Sequence, residues 1–363
     1  MSENNSSGNN NKDDEFDEYQ ACQLASWYPT FCQPSLGRKK GLTIQSVVVP
    51  VPDKFGEYLA QDGVQLPTGI KLSSCLGVAS NNDNNDEWSS SSSDDADETK
   101  PRATAIDLTD LTQRLQQGIE TLGGAVLPKT NWSAPRDAAW MNEGTLKCQT
   151  AGDVYLLLQS SDFVNSDVQL LQQQQQQRDS NRTLTIGLLI VLRKWCQLHA
   201  SHEFRCFVSH HRLVAISQRQ TDQYFEHVVH DREDLQFIME EFYQEFVRHK
   251  YANGKIGNYV IDVYIDKQDR VWIVDFNVFA ERTDSLLFSW DELKGWTQDK
   301  PAEFRIIETA KEILPQSLNN YRAPVDTVHL AALTSASPDK FQAFMDLCQR
   351  PSEIGEECDS DNQ

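Results

Sequence analysis

The sequence of 363 residues lacks several patterns that would assign it to common classes of protein. Its eight cysteines form no CxxC pair, which argues against a zinc site and favours a reducing compartment. Residues 1–20 are rich in Asn, Asp and Ser and contain no apolar segment, so we expect no secretory signal. The longest apolar run, 186–192, is too short to span a bilayer. We therefore expect a cytoplasmic protein without a membrane partner.

Several motifs that mark common active sites are also missing. The sequence contains neither a Walker loop nor a GxGxxG fingerprint, so it indicates neither a P-loop nor a Rossmann nucleotide site. No GxSxG element supplies a serine nucleophile. Two histidine pairs, His199 with His202 and His227 with His230, lack a third ligand at suitable spacing. We interpret these histidines as loop or surface residues.

The acidic charge is concentrated in three segments. The formal net charge is −21, of which residues 1–18 carry −5, residues 81–98 carry −7 and residues 351–363 carry −5. Only −4 remains on the rest of the chain. This distribution disfavours non-specific binding to nucleic acid or to an anionic membrane. We therefore expect no nucleic-acid partner.

Composition and hydrophobic periodicity divide the chain into six parts. We predict a disordered acidic tail (1–18), the first part of an N-terminal subdomain (19–79), a disordered Ser/Asp-rich insert (80–100), the remainder of that subdomain (101–192), a C-terminal subdomain (193–330), and a C-terminal helix with an acidic tail (331–363). The glutamine run at 172–177 is predicted to be a surface loop.

Helices and strands are predicted along the body of the chain. Apolar residues at helical spacing predict helices over 106–122, where Gly123 and Gly124 end the pattern, and over 232–250. Ser289 and Glu292 fit a capping box. Strands are predicted at 44–49, 185–195, 203–208, 213–218, 259–265 and 271–277. Mixed elements with several antiparallel hairpins favour the α+β class.

The hairpin formed by 259–265 and 271–277 carries the strongest chemical pattern. Alternate residues of a strand share one face, so Asp275 and Asn277 point the same way. A loop of two or four residues places Asp262 directly opposite Asp275, whereas a loop of odd length would break this register. Opposed carboxylates between apolar neighbours need either a raised pKa or a cation. With Asn277, the three oxygen ligands suit Mg²⁺ together with substrate phosphates. The alternative is a hairpin whose acids lie on its wet face.

Basic residues at strand ends are candidates for contact with those phosphates. Lys129 ends a short strand, Arg193 and Lys194 end an apolar one, and Arg205 shares a strand face with Glu203. Each of these residues could also be a solvated strand edge. Their coincidence with a carboxylate hairpin favours a nucleotide site.

Seven segments resemble the cell division cycle protein 123 family over about residues 22–293. They are ASWYP at 25–29, PKTNWSAPRD at 128–137, LRKWC at 192–196, EFRCFV at 203–208, ISQR at 216–219, DFN at 275–277 and TDSLLF at 283–288. The resemblance implies an ATP-grasp fold, in which two α/β subdomains hold ATP and Mg²⁺ in the cleft between them. It also implies an assembly chaperone for eukaryotic translation initiation factor 2, which joins the γ subunit to the α and β subunits. Such a protein supports translation initiation and cell proliferation, and we expect it to be a monomer.

The same resemblance implies a set of site residues. Backbone groups of the linking strand at 193–196 would meet the adenine, and the metal ligands would be Asp262, Asp275 and Asn277. The whole ATP site would comprise Lys129, Asn131, Ala134, Arg136, Arg193, Lys194, Trp195, Cys196, Glu203, Arg205, Arg219, Asp262, Asp275 and Asn277.

Three functions are compatible with these observations. The first is an ATP-dependent binding protein without catalytic residues, whose closed surface holds the γ subunit. The second is an ATP-grasp ligase that acts on a carboxylate or on a nucleic-acid end. The third is an acidic scaffold in which the hairpin is only structural. Nucleotide binding and turnover separate the three.

Overall fold

The computed structural model describes residues 18–34, 41–61, 64–67, 70, 72–73, 106–176, 187–297 and 300–314. The predicted acidic tail before Glu18, the insert at 80–100 and the C-terminal helix and tail at 331–363 lie outside the described residues. Helices and strands are mixed and form two sheets, so the expected α+β class is confirmed. None of the helices in the described ranges is long and apolar enough to cross a membrane.

The smaller sheet has three antiparallel strands and a helical layer on one face. Its strands are β1 (Ser46–Pro50), β2 (Val126–Lys129) and β3 (Leu189–Lys194), and β3 lies in the centre. The nearby helices are α2 (Phe55–Leu59), α3 (Thr109–Thr121), α4 (Ala151–Gln159) and α5 (Asp162–Gln176). Ile190 and Leu192 pack into this helical core, whereas Val191 belongs to the core of the larger sheet. Alternation along β3 therefore points Arg193 toward the larger sheet as well.

Local sequence explains the ends of the helices beside this sheet. The buried face of α3 follows the predicted spacing, with Leu111, Leu115 and Ile119 in the core. Gly123 and Gly124 have φ of 96° and 87°, values that glycine adopts without strain, and their N–H groups donate to the last turn. Helix α4 begins with a capping box between Thr150 and Asp153, which satisfies its first amide groups.

The larger sheet has five strands in the order β7-β6-β4-β5-β8, and all neighbours are antiparallel except β5 and β8. These strands are β4 (Glu203–Ser209), β5 (Arg212–Gln218), β6 (Tyr259–Ile265), β7 (Val271–Asn277) and β8 (Glu303–Arg305). The remaining helices of the described chain are α1 (Leu24–Phe31), α6 (Glu226–His230), α7 (Arg232–Phe242) and α8 (Trp290–Lys294), and short 3-10 turns lie at Arg136–Asn142, Ala200–His202 and Tyr251–Gly254. The predicted capping box at Ser289 opens α8 and is confirmed.

Helix α1 packs on the larger sheet although it precedes the smaller sheet in sequence. Its residues Leu24, Trp27 and Phe31 share a core with Phe242 and Phe276, and the rings of Trp27 and Phe276 lie 5.1 Å apart. The boundary predicted between residues 192 and 193 falls inside β3. The division of the chain into two subdomains stays a prediction.

The β6–β7 hairpin has the predicted strand limits, but its loop differs from the expectation. Near the turn Ile265 pairs with Val271, which implies the odd loop length that would have broken the register. A β-bulge at Val274 then inserts one extra residue into β7 and places Asp262 opposite Asp275. The pairing is confirmed, although an odd loop and a bulge together produce it.

Two helix predictions need correction. The glutamine run is not a loop, because α5 continues to Gln176. Glutamine is a good helix former and no Gly or Pro interrupts the run. The helix predicted over 232–250 ends at Phe242 and continues as one π-helical turn, Tyr243–Val247. Beyond it His249 has a φ of 62°, which a right-handed helix does not allow.

Candidate functional site

The candidate site is built on one face of the β6–β7 hairpin and on the neighbouring strand β4. Register places Asp262 between Asp275 on β7 and Arg205 on β4. Directly opposed residues share a face, so the side chains of all three lie together. Asn277 follows on the same face of β7 and donates weakly to Asp262 Oδ2 at 3.5 Å.

Asp262 is held by two arginines. Arg205 donates from Nε to Oδ1 at 2.7 Å and from Nη2 to Oδ2 at 2.8 Å, a bidentate pair of which both members are buried. Arg219 Nε lies 3.5 Å from Oδ2. Burial alone raises the pKa of Asp262, but the charges of Arg205 and Arg219 outweigh burial and lower it to about 2. Asp262 is therefore ionised, and its counter-charges are protein side chains.

The smaller sheet contributes two buried cations to the same hairpin. Lys129, at the end of β2, donates from Nζ to Asp275 Oδ2 at 2.6 Å. Arg193 donates to the carbonyl of Val274 in the bulge and, at 3.3 Å, to Thr43 Oγ1. Burial lowers the pKa of Arg193, and the charge of Asp275 opposes that effect. These contacts join the two sheets at the carboxylate pair.

One oxygen of this cluster has no partner. Asp275 Oδ1 is buried and makes no hydrogen bond, although its other oxygen accepts from Lys129. A buried polar atom without a partner is costly and uncommon in folded proteins. Asn277 contributes a side-chain carbonyl on the same face, and Asp262 Oδ1 has further lone pairs beyond its bond to Arg205. Two carboxylates and an amide carbonyl fit a hard divalent cation. Among the described residues no group of three or more His, Cys, Asp or Glu forms such a site.

A cleft of about 700 Å³ opens beside this cluster. Its walls come from the loop after β2 and from α5 on one side, and from the larger sheet and the segment after β7 on the other. Seven of the predicted site residues line it: Ala134, Arg136, Arg205, Arg219, Asp262, Asp275 and Asn277. The Arg136 side chain is exposed, and the negative charges of Glu203 and Asp262 act on it. Burial together with the positive charge of Arg205 lowers the pKa of Arg219 to about 10.

The other predicted residues do not line the cleft. Asn131 is buried, donates to Gln23 and to the carbonyl of Gly187, and accepts from the amide of Leu189. In the described structure these bonds tie α1 to the start of β3.

The backbone amides of Lys194 and Trp195, at the end of β3, already have hydrogen-bond partners. The amide of Lys194 donates to Gln45 and that of Trp195 donates to Ala125, while the Cys196 side chain is exposed. Glu203 is half-buried at the start of β4. Burial raises its pKa, and Arg219 and Arg136 oppose that effect.

Sequence reasoning missed several residues that line the cleft, including Tyr19, Asp167, Arg282 and Asp284. The ring of Tyr19 lies 4.1 Å from the Arg282 guanidinium, and the backbone carbonyl of Asp284 accepts from Arg205 at 2.6 Å. The sequence does contain a pattern that could have identified Asp167, because it lies at helical spacing among the apolar residues Val164, Val168 and Leu171. An acid on the buried face of a helix is rare unless it is paired.

The two sheets and the charged cleft define a mixed α+β protein in which arginine and lysine side chains meet opposed carboxylates. The D123 family model matches residues 27–331. The chain belongs to the D123 family. The expected resemblance is therefore confirmed.

Relatives and a solved structure agree with this assignment. The chain is 38% identical to a Translation initiation factor eIF2 assembly protein of Xenopus tropicalis, over 90% of this chain and 95% of that protein. It is 37% identical to Cell division cycle protein 123 of Phaeosphaeria nodorum, over 74% and 68% of the two chains. The structure of Cdc123 from Schizosaccharomyces pombe matches 81% of this chain and 98% of its own, with 32% identity and a TM-score of 0.60.

Proposed function

We propose that this protein binds ATP with Mg²⁺ in the charged cleft, in the manner of an ATP-grasp protein. The observation that carries the proposal is the buried Oδ1 of Asp275, which has no hydrogen-bond partner, in a residue that lines the cleft together with Arg136 and Arg219. A divalent cation would satisfy this oxygen, and the arginines would meet an anion bound beside it. The Coulombic surroundings thus favour a metal–polyphosphate ligand over a neutral one.

The residues divide into two groups by the charge that they would meet. Asp262, Asp275 and Asn277 would hold the cation, which supplies charge neutralisation for the phosphates when it is bound. Arg136 and Arg219 line the cleft and would bind phosphate oxygens, since guanidinium groups bind them well, whereas Lys129 is buried against Asp275 and would add positive charge beside the site. Arg205 orients Asp262 through its bidentate pair. The strand at 193–196, with Lys194, Trp195 and Cys196, remains our proposal for the adenine contact.

We further propose that the protein assists assembly of eukaryotic translation initiation factor 2 through the γ subunit. The support is that relatives matching nearly their whole length are named eIF2 assembly proteins. We propose a cytoplasmic monomer that acts as a chaperone without catalysis, in support of translation initiation and cell proliferation. ATP would stabilise the closed cleft, and the closed form would bind the partner.

A matched pair of hairpin variants tests nucleotide binding. Asp275→Asn removes the charge at the proposed cation site, whereas Asp269→Asn makes the same change in the exposed turn, where a φ of 56° suits asparagine. We expect MgATP to raise the melting temperature of the wild type and of Asp269→Asn but not of Asp275→Asn. An equal rise in all three proteins would refute the assignment of the hairpin.

Turnover and partner binding are measured on the same proteins. We expect no steady release of phosphate from MgATP, and we expect the purified γ subunit to bind more tightly when MgATP is present. Steady turnover would instead support a ligase that acts on a carboxylate or a nucleic-acid end. The absence of any thermal shift in the wild type would support the purely structural hairpin.

A further inference from the structure

The loop that follows β2 carries three residues of the expected nucleotide site, Asn131, Ala134 and Arg136, and the last two line the cleft. A single buried carboxylate on α5 fastens this loop. Asp167 accepts hydrogen bonds from Thr130 Oγ1, from the Ser133 amide at 2.9 Å and from Ser133 Oγ at 2.9 Å. Both carboxylate oxygens therefore bind the loop, at Thr130 and at Ser133, and Ser133 is followed directly by Ala134.

The far end of the same loop is fastened to α5 in the reverse sense. Asp137 accepts from Ser161 Oγ at 2.6 Å and from the amides of Asp162 at 2.7 Å and Phe163 at 3.3 Å. An acid of α5 thus binds the loop, and an acid of the loop binds the start of α5. The segment 134–136 lies between these two attachments and faces the cleft.

Helix α5 is a rigid support for this attachment. Val164, Val168 and Leu171 lie on the same helical face as Asp167 and are buried, so the position of the carboxylate is set by packing. Asp167 itself is buried. Burial raises its pKa, and the bonds from Thr130 and Ser133 and the charge of Lys129 oppose that effect. The hydrogen bonds to the loop offset the cost of burying this group.

We propose that Asp167 is a positioning residue for nucleotide binding, which acts through its hydrogen bonds to Thr130 and Ser133 by holding Ala134 and Arg136 in place for the phosphates. This inference rests on the proposed function. Asp167 itself lines the cleft, but both of its carboxylate oxygens are bound by the loop, so its effect on the ligand passes through Ala134 and Arg136. Because the role is geometric, the ability to accept hydrogen bonds matters and the negative charge does not.

Two substitutions separate geometry from charge. Asp167→Ala removes both acceptors, and we expect the dissociation constant for MgATP to rise about tenfold, within the range for residues of one network. Asp167→Asn keeps one acceptor, and its amide can donate to Ser133 Oγ once that hydroxyl rotates. We expect Asn to restore affinity to within about threefold of wild type. Equal losses in Asp167→Ala and Asp167→Asn would overturn the proposal.

A double-mutant cycle with Arg136→Ala tests the route of the effect, with calorimetric titration of MgATP as the readout. If Asp167 acts through the loop, Asp167→Ala causes little further loss in the Arg136→Ala background. Losses that multiply in the double variant would show independent action and overturn the proposal. Ser133→Ala, which removes one loop bond and leaves Asp167 in place, should weaken binding by about threefold.

The control is Asp153→Asn, whose MgATP affinity is measured together with that of the Asp167, Ser133 and Arg136 variants. Asp153 is an equally buried carboxylate that accepts from Ser73, Gln149 and Thr150 and does not line the cleft. We expect it to alter the melting temperature without changing MgATP affinity. An affinity loss in this control equal to that of Asp167→Ala would overturn the positioning role. Absence of MgATP binding in the wild type would refute the proposed function itself, which the variants do not address.

Discussion

The two sheets meet at the β6–β7 hairpin, and each supplies a cation to one of its opposed carboxylates. Within the larger sheet, Arg205 binds Asp262 through two bonds, and the side chain of Asp262 is only 10% exposed. From the smaller sheet, Lys129 binds Asp275 through one bond, and the Asp275 side chain is 21% exposed. The first pair satisfies its carboxylate, whereas the second leaves Oδ1 of Asp275 without a partner. The pair within one sheet therefore contributes more to stability, whereas the pair between sheets leaves one carboxylate oxygen for a ligand.

Removing the satisfied carboxylate should have the largest effect on stability. Asp262→Ala leaves Arg205 buried without its counter-charge, and we expect the free energy of unfolding to fall by about 3–5 kcal/mol. The control is Asp110→Ala, whose pair with Arg114 lies at the surface with an 81% exposed carboxylate, and which should cost less than about 1 kcal/mol. Urea unfolding measures both, and similar losses would contradict the contrast between the pairs.

Breaking the pair between the sheets should cost less. Lys129→Ala leaves Asp275 without its cation. Because water reaches Asp275 more readily than it reaches Asp262, we expect the free energy of unfolding to fall by about 2 kcal/mol. The same variant should weaken MgATP binding, since it also removes a positive charge beside the proposed site. A stability loss as large as that of Asp262→Ala would mean that both pairs are equally structural.

Acid should remove the contribution of the pair within the larger sheet. Its partners hold the pKa of Asp262 near 2, below the ordinary value of 3.8, so the ionised form is the one that stabilises the fold. That contribution is complete above about pH 4 and is lost as the pH falls from 3.8 through 2, with a size of about 2 kcal/mol. The stability difference between wild type and Asp262→Asn, measured by urea unfolding, should shrink between pH 5 and pH 3. A constant difference would contradict the pKa assignment.

The smallest effect is expected beside the start of β4, the central strand of the larger sheet, where three histidines share one hydroxyl. Ser201 Oγ lies 2.8 Å from His199 Nδ1, 2.9 Å from His202 Nδ1 and 2.9 Å from His227 Nε2. A hydroxyl donates one hydrogen bond and accepts two, so three imidazolium rings cannot all keep these bonds. The site therefore disfavours full protonation.

Burial and the positive charges of His227 and His199 lower the pKa of His202, while Asp231 and Asp269 oppose them. The neutral ring is the stabilising form, so its contribution is present above about pH 6.5 and is lost as the pH falls below that value. Between pH 7.5 and 5.5 we expect a loss below about 1 kcal/mol, since solvent screens this partly exposed group. His202→Gln should reduce that loss in thermal unfolding, and an unchanged loss would assign it to other groups.

Local patterns predicted the strands of the hairpin and the face that carries Asp262, Asp275 and Asn277, because side-chain alternation needs only neighbouring residues. The expected turn length of two or four residues was wrong. The loop has an odd number of residues, and the bulge at Val274 restores the pairing of Asp262 with Asp275. No local sequence pattern predicts this bulge. The resemblance supplied Arg136 and Arg219, which the structure brings to the cleft. It also supplied the strand at 194–196, whose place in nucleotide binding remains a prediction.

The sequence by itself determined the α+β class, the carboxylate hairpin and the family, since these depend on periodicity and on contiguous motifs. Only the tertiary structure decided which cation meets which carboxylate. Lys129 and Asp275 are 146 residues apart, and their contact follows from how the two sheets meet. The role of Asp167 depended on the same kind of information. Several cations along the chain could pair with each carboxylate, and long-range packing determines which of them does. Charge alone does not identify the partner.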